Sequence, residues 1–358
     1  MSLWRWRELF SSLEASQVIS LGEGLTPLVG SRRLGPSLGL NNLYFKLETG
    51  NPSGSYKDRF ASAAISDMVA KGQTTCIATS SGNTGAALAA YCAAAGIECR
   101  IAIVEGAPAG KLRQMQAYGA KIARVRKFGV DPQVTTEVLR HLDRMGHQPG
   151  HALQISAFVY SPAGMAGVQT LSYELAEQLP DGIDHVFCPA GGGGLCVAAA
   201  RGFEQLPQRS AVRRIPAVEC VQPEGNNTIA GPLMTGAERA QATACTTQIS
   251  GLQVASVIDG DLALSACRST GGSGHLVRDE DVWALQARLA REEGIFSEPA
   301  GVVALAGAAK AVAEGRIHPD ATVVCLVTGF GFKDDQSVDR MIADSSCPLI
   351  DATDLSDW

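Results

Sequence analysis

The chain has 358 residues, slightly more than one hydrophobic core usually supports, and this length predicts two domains around a cleft. Its 30 basic and 36 acidic residues give a net charge of −6 without a block of like charge, which argues against a nucleic-acid partner because such proteins carry a basic stripe. The sequence has neither a signal-peptide core at its start nor an apolar run of about 18 residues, so we predict a cytoplasmic protein without membrane contact.

The first strongly predicted element is a helix over Tyr56–Lys71, with Ser55 as its N-cap and Gly72 as its stop. After it, short β-branched apolar runs alternate with helical patterns, which is typical of an α/β fold with mostly parallel strands. The predicted strands are Thr75–Thr79, Cys99–Val104, His185–Pro189, Ala217–Gln222 and Thr322–Thr328.

A later helix is predicted over Asp279–Glu293, because apolar residues recur on one face and Gly294 supplies a C-terminal stop. The C-terminal segment Ala343–Trp358 contains four aspartates and no lysine or arginine. We interpret it as a loosely packed acidic end.

The ten cysteines include no CxxC pair, and several stand inside apolar strand-like runs. Zinc sites usually need closely spaced ligands, and disulfide scaffolds are usually small and secreted. We therefore predict buried, reduced thiols and no metal site.

Two segments stand where a predicted strand gives way to a helix, the place where open parallel sheets bind ligands. The first, Thr79–Gly85, gathers hydroxyls, an amide and free backbone N–H groups at a helix N-terminus, which predicts a carboxylate or phosphate site. The second, Gly191–Gly194, lets backbone N–H groups approach an anion closely and predicts a phosphate site. A dinucleotide site is disfavoured, because Cys196 replaces the third glycine of that fingerprint. An ordinary turn remains the alternative for both segments.

Lys57 falls in the first turn of the predicted helix, where the helix dipole disfavours a cation by about 0.3–1 kcal/mol. That placement suits an imine to an aldehyde cofactor beside a bound phosphate. A solvated surface lysine is the alternative that the residue alone leaves open.

Together these segments resemble the threonine synthase and threonine dehydratase branch of the tryptophan-synthase-β-like (fold type II) pyridoxal phosphate enzymes, and threonine synthase most closely. Seven stretches carry the resemblance in family order: GEGLTPLV (22–29), KLETGNPSGSYKDR (46–59), ATSSGNTGAALAAY (78–91), KLRQMQAYGAKI (111–122), PAGGGGL (189–195), GIFSEPAGVVALAG (294–307) and VTGFGFKD (327–334).

The resemblance implies a role for each matching residue. Lys57 matches the lysine that binds pyridoxal 5'-phosphate and then moves protons on the substrate. The implied cofactor-binding residues are Lys57, Asn83, Gly191, Gly192, Gly193, Gly194, Leu195 and Thr328, with Asn83 at the phenolic oxygen and Thr328 facing the pyridine nitrogen. The implied substrate-binding residues are Ser80, Ser81 and Thr84, which grip the α-carboxylate.

A hydroxyl at Thr328 does not stabilise a pyridinium as a carboxylate would, so the ring should be a mild electron sink suited to elimination or replacement on the side chain. A helix cap is the alternative for Thr328. Glu298 is either a second acid near the ring or a carboxylate at a helix start.

Two departures from the family pattern concern the substrate. The all-glycine turn 191–194 looks more like that of serine/threonine dehydratases and serine racemases than the asparagine-containing cradle of threonine synthases. Synthases that use phosphohomoserine have a basic residue in the segment matching 161–170, where this chain has Gly164. Lys111 and Arg113 lie on a neighbouring family segment and are the candidates to replace that charge.

We therefore predict a fold type II enzyme with two open, mostly parallel α/β sheets and the cofactor between them. The large domain should combine 1–53 with 163–358, and a small mobile domain should span 54–162. The expected reaction is elimination or replacement at Cβ or Cγ of an amino acid, with O-phosphohomoserine to threonine as the named reaction. Serine/threonine dehydratase-type β-elimination or β-replacement and a non-catalytic binding protein are the alternatives. The resemblance also implies a homodimer.

Overall fold

The computed structural model describes residues 2–80, 82–107, 109–206 and 214–357, and its secondary structure is α/β as predicted. The strands are β1 (Leu28–Gly30), β2 (Asn42–Leu47), β3 (Thr75–Thr79), β4 (Glu98–Val104), β5 (Lys121–Val125), β6 (His151–Gln154), β7 (His185–Pro189), β8 (Ala217–Pro223), β9 (Gly274–Val277) and β10 (Thr322–Val327). The α-helices are α1 (Arg7–Phe10), α2 (Leu34–Ser37), α3 (Lys57–Ala70), α4 (Asn83–Ala95), α5 (Ala109–Ala117), α6 (Pro132–Gly146), α7 (Pro162–Val168), α8 (Thr170–Gln178), α9 (Gly194–Gln205), α10 (Ala230–Thr235), α11 (Gly260–Ser269), α12 (Asp279–Glu293), α13 (Val303–Ala313) and α14 (Asp335–Met341).

The strands form two sheets. The larger has the order β1-β2-β10-β7-β8-β9 and the smaller the order β5-β4-β3-β6. Every pairing is parallel except β1 with β2, so the carboxyl ends of the parallel strands within each sheet share one edge. The smaller sheet lies within the segment predicted as the small domain, whose boundaries stay a prediction.

The predicted strands are confirmed to within one residue at each end, and the helix over Asp279–Glu293 is confirmed. β10 (TVVCLV) shows why such strands are recognisable: five of its six residues are buried, as expected of a central parallel strand covered on both faces. The C-terminal segment is exposed at 343–349 and 351–355, in agreement with the predicted loose packing.

The prediction of Ser55 as N-cap of α3 is wrong. Tyr56 is the N-cap residue and gives no side-chain cap, and α3 begins at Lys57. The backbone of Ser55 is instead drawn into an antiparallel bridge with Gly329. Its hydroxyl oxygen is buried without a hydrogen-bond partner among the described residues.

Eight of the ten cysteines are buried as predicted, whereas Cys245 is half-buried and Cys347 is exposed. The fold also brings together three thiols that the sequence spacing separates. Cys76 and Cys99 are in register on β3 and β4, and with Cys92 of α4 their sulfur atoms lie within 4.8 Å of one another. Among the described residues, no helix has the length and apolarity needed to cross a membrane.

Candidate active site

Lys57 is placed by the backbone that precedes α3. The N–H of Tyr56 donates to the carbonyl of Thr328 at 3.1 Å, and the N–H of Phe330 donates to the carbonyl of Gly54 at 3.0 Å. These bonds lay the start of α3 against the segment that leaves β10. Lys57 therefore begins its helix at the carboxyl edge of the larger sheet, where a parallel sheet binds ligands.

Lys57 is half-buried as a whole residue. Its Nζ donates to Ser156 Oγ at 2.7 Å and lies 4.4 Å from the centre of the Tyr56 ring. Burial lowers the pKa of Lys57 to about 7, although the nearby Asp259 carboxylate opposes that change. A large fraction of this amine is therefore uncharged near neutral pH, which is the form that attacks carbonyl carbon and accepts protons.

The glycine turn, residues 191–194, connects β7 to α9. Gly193 has φ +94, and a Cβ there would lie 2.8 Å from Ala263 Cβ, so this position requires glycine. Gly194 and Leu195 open α9, and their N–H groups have no carbonyl partner inside the helix. The turn therefore offers backbone donors and a helix dipole to an anion such as phosphate.

Ser156 links Lys57 to this turn. Its Oγ accepts from Lys57 Nζ and lies 3.6 Å from the sulfur of Met165. A Cβ added to Gly194 would lie 2.9 Å from Met165 Cε and 3.7 Å from the Ser156 carbonyl oxygen. The Lys57 amine and the glycine turn are thus neighbours across the loop that joins β6 to α7.

Asn83 is the first residue of α4, and its Nδ2 donates to Glu298 Oε1 at 2.5 Å. Glu298 is 2% exposed, and its N–H donates to the carbonyl of Gly329 at 3.1 Å. A Cβ on Gly329 would lie only 2.1 Å from Glu298 Oε1 and 3.0 Å from Asn83 Nδ2. The Asn83–Glu298 pair therefore lies directly against the segment after β10.

The remaining predicted residues flank this pair. Thr328 follows β10 and is 4% exposed. Ser80 and Thr84 are half-buried, and Ser80 Oγ accepts from the N–H of Gly82 at 3.3 Å. Ser81 lies outside the described residues. Ser80 and Thr84 stand at the start of α4, where the helix dipole favours an anion.

Gly164, the position where the resemblance led us to expect a basic residue, is buried in α7. A Cβ there would lie 2.6 Å from Phe60 Cε2 and 2.8 Å from Ser161 Oγ. The close packing of α7 against α3 therefore leaves no room for an arginine at this position.

Helix α5 contacts the segment before α3 and the segment after β10 through Gln114. Gln114 Nε2 donates to the Ser53 carbonyl at 3.0 Å, and Lys333 Nζ donates to Gln114 Oε1 at 2.8 Å. Arg113 is exposed. Lys111 stands one helical turn before Gln114 in α5, and its side chain lies outside the part of the chain that the structure describes.

Sequence reasoning missed Ser156 and Asp259, both of which influence Lys57. Neither belongs to a recognisable motif. Asp259 precedes α11 and would be interpreted locally as a helix cap, although its side chain makes no capping bond.

The donor set fits an aldehyde cofactor that carries a phosphate. Lys57 supplies an amine whose pKa is lowered to about 7, the turn at Gly193 leaves no room for a side chain, and the opening N–H groups of α9 suit a phosphate. The hydroxyl of Ser55, two residues before Lys57, is buried without a hydrogen-bond partner among the described residues and adds an unsatisfied polar group to this region.

Comparison with known proteins agrees with this fit. Residues 19–329 match the family model described as pyridoxal-phosphate dependent enzyme. The chain is 32% identical to a threonine synthase of Methanocaldococcus jannaschii, covering 95% of this chain and 82% of the relative. It is also 32% identical to a threonine synthase of Methanosarcina acetivorans, with 94% and 81% covered. Among solved structures, the processed threonine deaminase isoform 2 from Solanum lycopersicum superposes with a TM-score of 0.74 at 22% identity, covering 96% and 94% of the two chains, and supports the fold.

Proposed function

We propose that this chain, which belongs to the family of pyridoxal-phosphate-dependent enzymes, converts O-phosphohomoserine and water into threonine and inorganic phosphate. Its family and its relatives identify it as a pyridoxal-phosphate-dependent lyase of fold type II. The observation that carries the proposal is the amine of Lys57, with its pKa of about 7, next to a glycine turn suited to phosphate.

Lys57 is the proposed catalytic base. Pyridoxal phosphate, when bound through its aldehyde, withdraws electrons from the Cα of an amino acid and so makes that carbon acidic. Lys57 can accept and return protons at the substrate carbons, because a pKa of about 7 makes both the charged and the uncharged amine available near neutral pH. Ser156 accepts from Lys57 Nζ at 2.7 Å and would keep the amine oriented between proton transfers.

The proposed substrate carboxylate site is the start of α4. Ser80, Ser81 and Thr84 are proposed to bind the α-carboxylate there, with support from the helix dipole. Asn83 is proposed to hold the phenolic oxygen of the cofactor, and the buried Glu298 carboxylate keeps its amide in place at 2.5 Å.

Thr328 and residues 191–195 complete the proposed cofactor site. Thr328 is proposed to face the pyridine nitrogen with a hydroxyl, which favours elimination or replacement over decarboxylation or transamination. Gly191, Gly192, Gly193, Gly194 and Leu195 are proposed to hold the phosphate through backbone N–H groups.

The leaving phosphate of the proposed substrate needs a cationic partner, because a buried dianion without one is strongly disfavoured. The packing at Gly164 excludes an arginine from the position used by many synthases. We propose that Lys111 supplies the charge instead, because it is the basic residue one helical turn before Gln114, whose Nε2 donates to the Ser53 carbonyl.

Serine/threonine dehydratase activity is the second candidate. The all-glycine turn and the closed packing at Gly164 both favour a substrate without a phosphate group. Such a substrate would lose its β-hydroxyl and release a keto acid and ammonia.

The test uses purified holoenzyme with O-phosphohomoserine, serine and threonine in parallel, and Lys57→Ala as the inactive control. Formation of threonine with an equal amount of phosphate would support the proposal. Keto-acid release from serine or threonine without threonine formation would favour the dehydratase. If neither product appears while the cofactor is bound at Lys57, the substrate is another amino acid. The homodimer, the cytoplasmic location and the division at 54–162 remain predictions.

A further inference from the structure

Asp259 stands immediately before α11, where an aspartate usually accepts a hydrogen bond from its own helix. Its carboxylate makes no such bond. Instead, Oδ2 accepts from the N–H of Phe158 at 2.7 Å and Oδ1 accepts from the N–H of Val159 at 3.2 Å. Asp259 is 1% exposed, so this is a buried carboxylate directed at the loop between β6 and α7.

The same loop carries Ser156, whose Oγ accepts from Lys57 Nζ. Because Phe158 follows Ser156 by two residues, the bonds to Asp259 restrict where Ser156 can lie. Asp259 also contacts the glycine turn: its N–H donates to the carbonyl of Gly192 at 3.0 Å. A Cβ on Gly194 would lie 3.0 Å from Asp259 Oδ2. One residue therefore touches both the loop that holds the amine and the turn that suits a phosphate.

We propose that Asp259 is a positioning residue that fixes the Lys57 amine relative to the glycine turn through the loop 156–159. This proposal rests on the proposed function in one respect, namely that Lys57 is the lysine that binds the cofactor. A cofactor with an aldehyde at one end and a phosphate at the other requires a defined separation between amine and turn. Small displacements of such groups reduce both capture and reactivity.

Charge adds to this geometry. Asp259 raises the pKa of Lys57 against the stronger lowering by burial. Burial raises the pKa of Asp259 itself. The hydrogen bonds from the N–H groups of Phe158 and Val159 oppose that rise, and so do the positive charges of Arg201 and Lys57. The guanidinium of Arg201 lies 4.4 Å from the centre of the Phe158 ring, on the same loop. The uncharged ring of Tyr56 also lies against Lys57, with its centre 4.4 Å from Nζ.

The test compares Asp259→Asn with Asp261→Asn. Asp261 lies two residues further along, is exposed, and holds a loop through the N–H of Ala240 at 2.8 Å, so it is a matched control. In the cofactor-free protein, acetic anhydride labelling across pH gives the midpoint of the Lys57 amine, with exposed Lys71 as internal reference. We expect Asp259→Asn to lower the Lys57 midpoint by about one pH unit and to weaken cofactor binding about tenfold. Asp261→Asn should change neither.

Equal effects of the two variants would overturn the proposal, because they would indicate general loosening. An unchanged Lys57 labelling midpoint together with an unchanged cofactor affinity in Asp259→Asn would also overturn the proposal. If that variant does not fold, Ser156→Ala tests the same link by deleting one hydroxyl: it should weaken cofactor binding several-fold without lowering the urea midpoint, and unchanged affinity would overturn the proposal. These measurements need no substrate, so a wrong substrate assignment leaves them unaffected, whereas cofactor attachment to another lysine would refute the proposed function.

Discussion

Asn83 and Glu298 are far apart in sequence, yet Asn83 Nδ2 donates to Glu298 Oε1 at 2.5 Å. The contact joins the first residue of α4, on the smaller sheet, to a buried carboxylate beside the segment that leaves β10. Gly329 packs against both partners with no space for a side chain. The orientation of the Asn83 amide is therefore set from the larger sheet.

Replacing Glu298 by alanine should disorient this amide. A hydrogen bond to a charged group contributes about 1.5–3 kcal/mol, so we expect cofactor affinity to fall at least about tenfold. Glu298→Gln retains an acceptor oxygen and should keep most of the affinity, and exposed Glu177→Ala should be neutral. Fluorescence titration of the cofactor-free proteins measures this. Equal losses in the alanine and glutamine variants would contradict a role for the hydrogen bond itself.

Lys57 should carry the cofactor. We expect the wild-type protein to show the visible absorbance of a lysine-bound pyridoxal imine, and borohydride to fix the label on the peptide that contains Lys57. The physical reason is that the pKa of the amine is lowered to about 7 and that the amine lies near the glycine turn, whose backbone suits a phosphate. Lys57→Ala should abolish the label, and Lys71→Ala should leave it intact. Label on any other lysine would refute the mechanism.

Valine variants at Gly192 and Gly193 should distinguish an effect on cofactor binding from an effect on folding. A Cβ on Gly192 would have Ile258 as its nearest contact at 3.5 Å, so Gly192→Val should fold but block close approach of a phosphate. We expect a loss of cofactor during dialysis with little change in thermal midpoint. Gly193→Val should lower both, because φ is +94 and Ala263 is 2.8 Å away. Gly106→Val, in open space, is the control. Full cofactor retention by both turn variants would place the phosphate elsewhere.

Replacing Lys111 and replacing Arg113 should change the KM for phosphohomoserine to different extents. Lys111 stands one helical turn before Gln114, which donates to the Ser53 carbonyl, whereas Arg113 is exposed. We expect Lys111→Ala to raise the KM for phosphohomoserine by at least about tenfold, because a phosphate dianion loses its partner. Arg113→Ala should change it less than twofold. Efficient threonine formation unaffected by either change would show that another group binds the phosphate.

Glu219 should make stability depend on acid pH. Burial alone would raise its pKa, but hydrogen bonds from His185, His275 and the Ser273 N–H outweigh burial and lower it to about 2. An unfolded glutamate has a pKa of about 4.3, so the stabilisation, about 2–3 kcal/mol, is complete above that value and is lost as pH falls toward 2.

Urea unfolding at pH 7, 5 and 3.5 measures this dependence. Glu219→Gln should lower stability at pH 7 and lose less on acidification than the wild type does. Exposed Glu177→Gln, which removes a surface pair with Arg5, should follow the wild-type curve. Parallel curves for Glu219→Gln and the wild type would contradict the prediction.

The sequence by itself predicted five of the strands that the structure describes and the helices that begin at Lys57 and Asp279, and it indicated candidate places for ligands. Local patterns suffice for these features, because buried parallel strands are continuous apolar runs and anion-binding turns need glycine and hydroxyl residues at a helix start. Lys57, Asn83 and the glycine turn were therefore identifiable, since each stands in such a pattern.

Only the tertiary structure decided which groups surround the Lys57 amine. Ser156 is 99 residues from Lys57 in sequence, and Asp259 is 101 residues from the amide of Phe158 that it binds. Contacts of this kind have no local signal, because they depend on how the β6–α7 loop packs against the start of α9. The same holds for Gly164: the sequence shows that an arginine is missing, but only the 2.6 Å approach to Phe60 shows that none could fit.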